Sequence, residues 1–443
     1  MKETKKKRKI ELKTGIAKRL LEFLGNSPTP YHAVDNQIQA LEASGFTILH
    51  EGDPWKLKQG GKYYVHRGDG SLVAFRLGTQ PLVEKGFRIV GVHSDSPALK
   101  IKPQPELSAH GYITLGVEVY GGAILHTWFD RDLSVAGKIT YLGADNLPHS
   151  CLINFQHPLA FIPNLAIHLT QKSGKKSEIN KQLELPPIIS IDSELEQGSK
   201  PTFDEIIAKQ VVQESSPKIK VKKVLGHDLF LYDTQPAALV GYQKEFINGG
   251  KLDNLLSCHV GLEAFLGSTG EATSVYTCYN HEEVGSQSKA GAASSFLSTV
   301  LNRIAGGQEE FYRAISHSTL LSVDNAHSIH PNYPERHDLS HAPIINSGPV
   351  IKNNANQRYA TQNETAGFFQ WLCQQVDVPV QNFVNRSDLG CGSTIGPIAS
   401  TTLGIQALDI GVATLAMHSI RETCGVKDLD YLYLALKQFF QTA

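Results

Sequence analysis

The sequence predicts an α/β sandwich interrupted by an inserted β-rich segment. Three observations lead there. Apolar strand-like runs alternate with amphipathic helical stretches toward both ends of the chain, the pattern of layered α/β folds. Residues 102–242 lack that alternation and read as short β stretches joined by polar loops, with no helical period longer than two turns. Side chains able to hold a metal stand on both sides of this interval, His93 before it and Asp253 after it, and a shared site requires the flanking parts to meet in space. The expected division is a discontinuous α/β domain of residues 1–101 and 243–443 around an inserted β-rich domain of residues 102–242. A chain of 443 residues is also longer than the roughly 250–300 at which single cores stop growing.

In chain order, the basic run within Met1 to Lys9 is expected to be a solvated tail or an arm docking on a neighbouring subunit. Leu12, Ile16, Leu20, Leu21 and Leu24 recur at helical spacing and stop at Gly25-Asn26-Ser27-Pro28. A second helix is predicted over 31–43, then strands over 62–66, 71–77 and 87–93, the last a buried strand delivering His93 at its carboxyl end. Ligands gather at that end of strands in open α/β sheets. Inside the interval, 112–120 and 138–142 read as β, and 171–177 as an exposed loop. Beyond it, Asp253 opens a helix carrying Leu255, Leu256, Val260, Leu262 and Phe265. Strands over 274–279 and 319–323 then alternate with helices over 290–304, 365–376 and 429–440.

Composition narrows the function classes. Hydrophobic residues at 41% and charged residues at 19% describe a packed protein and exclude disorder. A formal net charge of −1 gives no global attraction to nucleic acid or anionic membrane, so neither is an expected partner. No apolar run reaches the roughly 18 residues that span a bilayer. The N-terminus lacks the apolar segment of a secretory signal. The six cysteines include no Cys-x-x-Cys pair, which argues against a zinc ribbon or a disulfide scaffold, and the cytoplasm is the expected compartment.

The chemistry is concentrated in short polar strings. Val92-His93-Ser94-Asp95-Ser96-Pro97 puts His93 and Asp95 on the same side of an extended chain. Asp253 at a helix start is also what an N-cap looks like, although a carboxylate has two oxygens and can do more. Glu282-Glu283 is the most diagnostic pair. Adjacent acids after an apolar strand repel each other, whereas metal-dependent hydrolysis needs one carboxylate on the metal and another to take a proton from the attacking water. Asp324 and His418 each end an apolar stretch. Together these residues could hold two divalent ions that share the carboxylate of Asp253. The Gly390-Cys391-Gly392-Ser393-Thr394-Ile395-Gly396 run fits neither dinucleotide nor phosphate-loop patterns and reads as a pocket loop.

Over nearly its whole length the chain resembles the aspartyl aminopeptidase family of metallopeptidases. The resemblance rests on the His93 string, Tyr120-Gly121-Gly122, Thr127-Trp128-Phe129-Asp130-Arg131-Asp132-Leu133 and Ile162-Pro163-Asn164-Leu165-Ala166-Ile167-His168-Leu169. It continues through Asp253-Asn254, Glu282-Glu283-Val284-Gly285-Ser286, Asp324-Asn325-Ala326-His327-Ser328, Gly348-Pro349-Val350-Ile351-Lys352 and Gln357-Arg358-Tyr359. It implies an α/β/α sandwich metallopeptidase domain with an inserted dimerisation domain. It also implies an aminopeptidase that removes N-terminal residues, favours Asp and Glu, and carries two zinc ions per subunit, another divalent ion being possible at one site. One ion would take His93, Asp253 and either Glu283 or Asp324. The other would take Asp253, His418 and the remaining acid. Glu282 would be the general base and Asp95 would orient His93. His327, Lys352 and Tyr359 would line the pocket for the peptide substrate, with Lys352 a candidate for reading an acidic side chain. His168 would reach a neighbouring subunit's site in a homo-oligomer, a tetrahedral dodecamer. Two rivals keep the layout: a two-metal carboxypeptidase or deacylase gripping a carboxylate with Arg358 or Arg386, and a non-catalytic shell or cargo protein.

Overall fold

The computed structural model describes residues 15–169, 178–192, 202–214 and 219–442. Leu12, the basic N-terminal run and the loop expected over 171–177 lie outside these residues. A nine-stranded mixed sheet forms the centre of the α/β part. Four of its strands, Thr273–Tyr279, Phe87–His93, Thr319–Val323 and Gln406–Gly411, lie side by side and parallel. Lys62–Arg67 and Ser71–Arg76 extend one edge as an antiparallel hairpin, and Val350–Asn353 with Gln381–Val384 extend the other.

Alternation along these strands builds the sandwich. Successive side chains point to opposite faces. Val90, Val92, Tyr276, Cys278, Leu321, Val323, Leu408 and Ile410 pack with helices Gly15–Asn26, Pro30–Ala43, Leu252–Leu266, Asn363–Gln375 and Val426–Gln441. Their neighbours Phe87, Ile89, Val275, Leu320 and Ala407 pack on the other face with Phe296–Ala305, Gln308–Ser316 and Ile395–Leu403. Leu252–Leu266 is apolar on every side and correspondingly buried nearly throughout. Pro30 at the first helical position starts the second helix one residue before the expected start, since its missing N–H costs nothing there.

A six-stranded antiparallel sheet is built from residues between Ala98 and Asp233, in the order Pro148–Asn154, Leu133–Leu142, Lys223–Asp233, Ala98–Ala109, Tyr112–Tyr120 and Ile188–Ile191. It has its own core, including Leu99, Val135, Ile139 and Leu229. The absence of longer helices expected here is corrected by Phe203–Glu214, which buries Phe203, Ile207 and Val211 on that core. The helix over 290–304 is also corrected. It begins only at Phe296, because Gly291 turns so tightly that a Cβ there would lie 2.3 Å from the Ser286 carbonyl oxygen. A third, five-stranded sheet joins Ala238–Val240, Phe246–Gly249, Glu422–Gly425, Ala413–Leu415 and Ala326–His327. All six cysteines are free, with Cys258 and Cys278 buried. Among the described residues no helix is long and apolar enough to cross a membrane.

Candidate metal centre

The carboxyl ends of the four parallel strands converge on one point. His93 is the last residue of its strand, and the strand ending at Tyr279 leads into the turn that holds Glu282 and Glu283. Asp324 follows Val323 directly. Its main chain runs so close to Gly411 that a Cβ there would lie 1.7 Å from the Asp324 carbonyl oxygen, so a side chain at 411 would displace the carboxylate's backbone. Asp253 arrives from the side. Its backbone is extended, φ −84° and ψ 103°, and its side chain does not cap the helix that follows. The N-cap reading of Asp253 is thereby corrected: the carboxylate points away from the helix and into the cluster.

Within the cluster, His93 Nε2 lies 3.6 Å from Asp253 Oδ1 and 3.4 Å from Asp324 Oδ1. His418 Nε2 lies 3.5 Å from Asp253 Oδ2 and 3.3 Å from Glu283 Oε2. Three groups of donor atoms result, each within 4.8 Å: His93–Asp253–Asp324, Asp253–Glu283–His418 and His93–Glu282–Glu283. Asp253 belongs to two of them and turns a different oxygen to each imidazole. Oδ1 of Asp253 and Oδ1 of Asp324 are buried and accept no hydrogen bond. An ionised carboxylate oxygen left without a partner in an interior is costly, and a bound cation is what relieves it. Oxygen and imidazole donors in this number suit zinc. The residues present therefore fit the metal.

Electrostatics point the same way. Burial, followed by the charges of Asp324 and Asp253, pushes the Glu282 carboxyl up to about 8. Burial and then Asp253 raise Glu283 well above its usual range. Burial opposes the charge on Asp324, but the Lys352 ammonium and then His93 outweigh it and hold its carboxyl far down. This concentration of acid has too little positive charge around it from the protein alone.

Asp95 holds the assembly together. His93 Nδ1 sits 3.1 Å from the Asp95 carbonyl oxygen and 3.5 Å from its Oδ1. Oδ1 of Asp95 accepts the Glu282 N–H and Oδ2 accepts the Glu283 N–H, each at 3.1 Å, and the Tyr120 hydroxyl donates to Oδ2 at 2.7 Å. Burial works against this charge, yet His93, Tyr120 and Glu283 together hold the Asp95 carboxyl below its ordinary value. The carboxylate thus ties down the backbone of both glutamates, while the imidazole of His93 meets the Asp95 carbonyl oxygen.

A cleft of about 360 Å³ opens over the cluster and is lined by His327, Lys352 and Tyr359 among others. Lys352, 2% exposed, places its ammonium 3.2 Å from Asp324 Oδ2 and 3.0 Å from the Asn325 carbonyl oxygen, and 5.1 Å above the Tyr359 ring. Its charge is therefore already shared with a member of the cluster. Neither Arg358 nor Arg386 lines the cleft. Arg358 donates to the Gly392 carbonyl, and Arg386 pairs with Asp388. His168 stands apart from the cluster, exposed in the short turn Ile167–Leu169.

Three contributors have no role that the sequence assigns. Tyr120 and Gly122 come from the end of the Tyr112–Tyr120 strand of the six-stranded sheet, and the Gly122 carbonyl oxygen faces His418 Nδ1 at 3.2 Å. Between them Gly121 has φ +70°, and a Cβ there would lie only 3.1 Å from the Glu283 Cβ. Their string is part of the family resemblance, but nothing local announces a contact with the centre. The third is Glu422, whose carboxylate accepts the backbone N–H of both Asp253 and His418 at 2.8 Å. A lone acid at the head of a short strand gives no signal in the sequence.

A mixed α/β sheet whose parallel central strands carry paired imidazole and carboxylate donors at their carboxyl ends is the layout of a metal-dependent hydrolase. Comparison with known proteins agrees. Residues 23–440 match the family described as Aminopeptidase I zinc metalloprotease (M18). A protein of Stutzerimonas stutzeri (strain A1501), named "Probable M18 family aminopeptidase 2", is 51% identical over 424 residues, covering 96% of this chain and 97% of its own. The cryo-EM structure of the Ape4 and Nbr1 complex superposes with a TM-score of 0.92 at 37% identity, over 96% of this chain and 85% of that one. The S. cerevesiae mApe1 dodecamer gives a TM-score of 0.82 at 28% identity, over 96% of both chains. The chain belongs to the M18 peptidase family. It is a metallo-aminopeptidase, a hydrolase acting on peptides.

Proposed function

We propose that the protein is a dinuclear zinc aminopeptidase that removes N-terminal residues, Asp and Glu in preference. The observation that carries the two-metal reading is Asp253, whose two oxygens face separate imidazoles, His93 at 3.6 Å and His418 at 3.5 Å. His93, Asp253 and Asp324 would hold one ion, and Asp253, Glu283 and His418 the other. This assigns Asp324 to the His93 side and Glu283 to the His418 side, a choice the sequence left open.

Zinc, when bound, would polarise the scissile carbonyl and make the attacking water more acidic. Glu282 takes that water's proton on its carboxylate and returns it to the leaving amine. Asp95 keeps Glu282 in place through its N–H and keeps the His93 ring turned toward the donors. Lys352 has three ammonium protons, two of them directed at Asp324 and the Asn325 carbonyl. The third remains for a substrate acceptor, which supports a preference for acidic side chains. The exposed apolar residues Leu165, Ile167 and Leu169 around His168 support docking of that turn on another copy. A homo-oligomer, by analogy with the mApe1 dodecamer and in tetrahedral form, would then complete each site with a neighbour's His168. The cytoplasm is the compartment consistent with six free cysteines.

Activity on aminoacyl substrates should vanish on chelation and return with two equivalents of zinc per chain. Peptides blocked at the N-terminus should resist cleavage and C-terminally blocked ones should not. The reverse pattern, or full recovery at one equivalent, would rule the proposal out.

A further inference from the structure

We propose that Glu422 is a positioning residue that clamps the shared ligand Asp253 and the single-sided ligand His418 to each other. This rests on the two-metal reading above and goes beyond it, because Glu422 touches neither substrate nor any proposed donor atom. Its side chain is 2% exposed, and each of its oxygens has one job. Oε2 accepts the N–H of Asp253 and Oε1 accepts the N–H of His418, both at 2.8 Å. Each oxygen thus takes one backbone N–H, and the two bonds tie together segments far apart in the chain.

Both segments need such a tie. Lys251, two residues before Asp253, has φ +61°, and His418 itself has φ +67°. Residues with a Cβ occupy that left-handed region only when their surroundings hold them there. The turn bearing His418 links Ala413–Leu415 to Glu422–Gly425, and its imidazole is partly exposed, so packing alone leaves it weakly fixed. Glu422 is well anchored for the task. It opens a strand in register with Gly249, and the Asn248 side-chain amide donates to its carbonyl oxygen at 3.1 Å. Next to it, the Arg421 guanidinium is held by Asn248 Oδ1 and the carbonyls of Gln235, Pro236 and Asn248. The carboxylate therefore projects from a rigid base and sets the spacing between two main-chain positions.

The placement makes the effect asymmetric. Asp253 belongs to both groups of donors, but His418 belongs to one. His93, Asp324 and the Asp95 network receive nothing from Glu422. Loosening the clamp should weaken the His418 side most. In Glu422→Gln the shape is kept, but an NH₂ group faces an N–H and one of the two bonds is lost.

The test is a zinc titration of the metal-free, full-length chain, followed by calorimetry and checked by the visible spectrum of the cobalt(II) form. Glu422→Gln should weaken one of the two binding steps by about 10–100-fold, the range found when groups supporting a ligand are removed, and leave the other within about threefold. Asp428→Asn serves as the structural control. Asp428 is likewise buried and accepts backbone N–H groups, from Asn346 and Gly348, away from the centre. That variant should lower thermal stability and move neither step. If Glu422→Gln only loses stability, with both steps as in the wild type, the clamp is overturned. Equal weakening of both steps also overturns it, since the effect would then run through Asp253 alone. Should the glutamine variant fail to fold, Glu422→Asp, one methylene short but still a carboxyl group, is read by the same criteria. A wild-type chain with only one step sinks the two-metal reading on its own, and the clamp is then judged by whether Glu422→Gln weakens that step.

Discussion

Replacing Lys352 by Met removes a charge while keeping the length of a fully packed side chain. The ammonium is 3.2 Å from Asp324 Oδ2, and both groups are buried. Removing one partner of a buried pair costs about 3–5 kcal/mol, because the other charge is left uncompensated. The metal-free variant should lose stability of that order in urea. The zinc-loaded variant should lose less, since Asp324 would then face a cation on its other oxygen. Catalysis separates a second contribution. Disturbing Asp324 lowers turnover on every substrate alike, whereas the remaining ammonium proton matters only to a substrate with an acceptor to offer it. A hydrogen bond to a charged group contributes about 1.5–3 kcal/mol, so kcat/KM for N-terminal Asp and Glu should fall about 10–150-fold further than for Leu and Ala. The assay is kcat/KM on the four aminoacyl anilides at saturating zinc, beside urea unfolding with and without metal. Equal losses on all four would refute side-chain recognition by Lys352. Unchanged stability of the metal-free variant would refute the ion pair as a significant contact.

Three further outcomes are expected. Glu282→Gln should keep its zinc and lose at least about 10²–10⁴-fold in kcat, and near wild-type turnover with metal content confirmed would remove Glu282 as the base. The metal-free chain should become less stable as pH rises from about 6.5 to about 8, above the range where the buried His32, His259 and His327, lowered to about 4, act in the opposite sense, because Glu282 and Glu422, each raised to about 8, bind their protons more tightly folded than unfolded. The raised His93 and His418 have the same sign, and a flat or rising urea midpoint over that window would contradict it. Co-assembling Glu282→Gln chains with His168→Ala chains should restore activity that neither parent has. Verified mixed oligomers showing only the summed residual rates would confine His168 to its own chain or to no essential role.

The sandwich is legible in the sequence because its signals are local. Strands buried on both faces read as continuous apolar runs, and the helices around them keep a helical period. Legibility ends where tertiary contacts decide. Phe203–Glu214 carries Phe203, Ile207 and Val211 at four-residue spacing, but Gln210 is interleaved and the mean apolarity is low, so its one apolar stripe does not stand out. The five-stranded sheet leaves no local signal because its strands run only two to four residues and draw on three distant parts of the chain. The proposed donors His93, Glu283, Asp324 and His418 are legible for the opposite reason: a charged or titratable group after an apolar stretch has no structural use that cheaply explains it, and Asp253, at a helix start, is read only beside them. Lys352 illustrates the limit of that logic. Its charge is visible in the sequence, but its partner Asp324 lies on a different strand.

The supporting groups have a common feature that explains why sequence reasoning stops short of them. Tyr120, Gly122 and Glu422 act on atoms that every residue possesses or on groups already counted, such as a backbone N–H, a ring nitrogen or a carboxylate oxygen. Such contacts require position and little chemistry, so no residue type advertises them. Two of the three come from the end of one strand of the six-stranded sheet, where Tyr120 donates to Asp95 and Gly122 accepts opposite His418. That sheet therefore reaches one imidazole through Asp95 and the other directly. A shift of the sheet by even a fraction of an ångström would change the hydrogen bonding on both sides of the centre. Any contact that moved this sheet would then bear on metal binding, because the strand ending at Tyr120 is hydrogen-bonded into it along Ala98–Ala109.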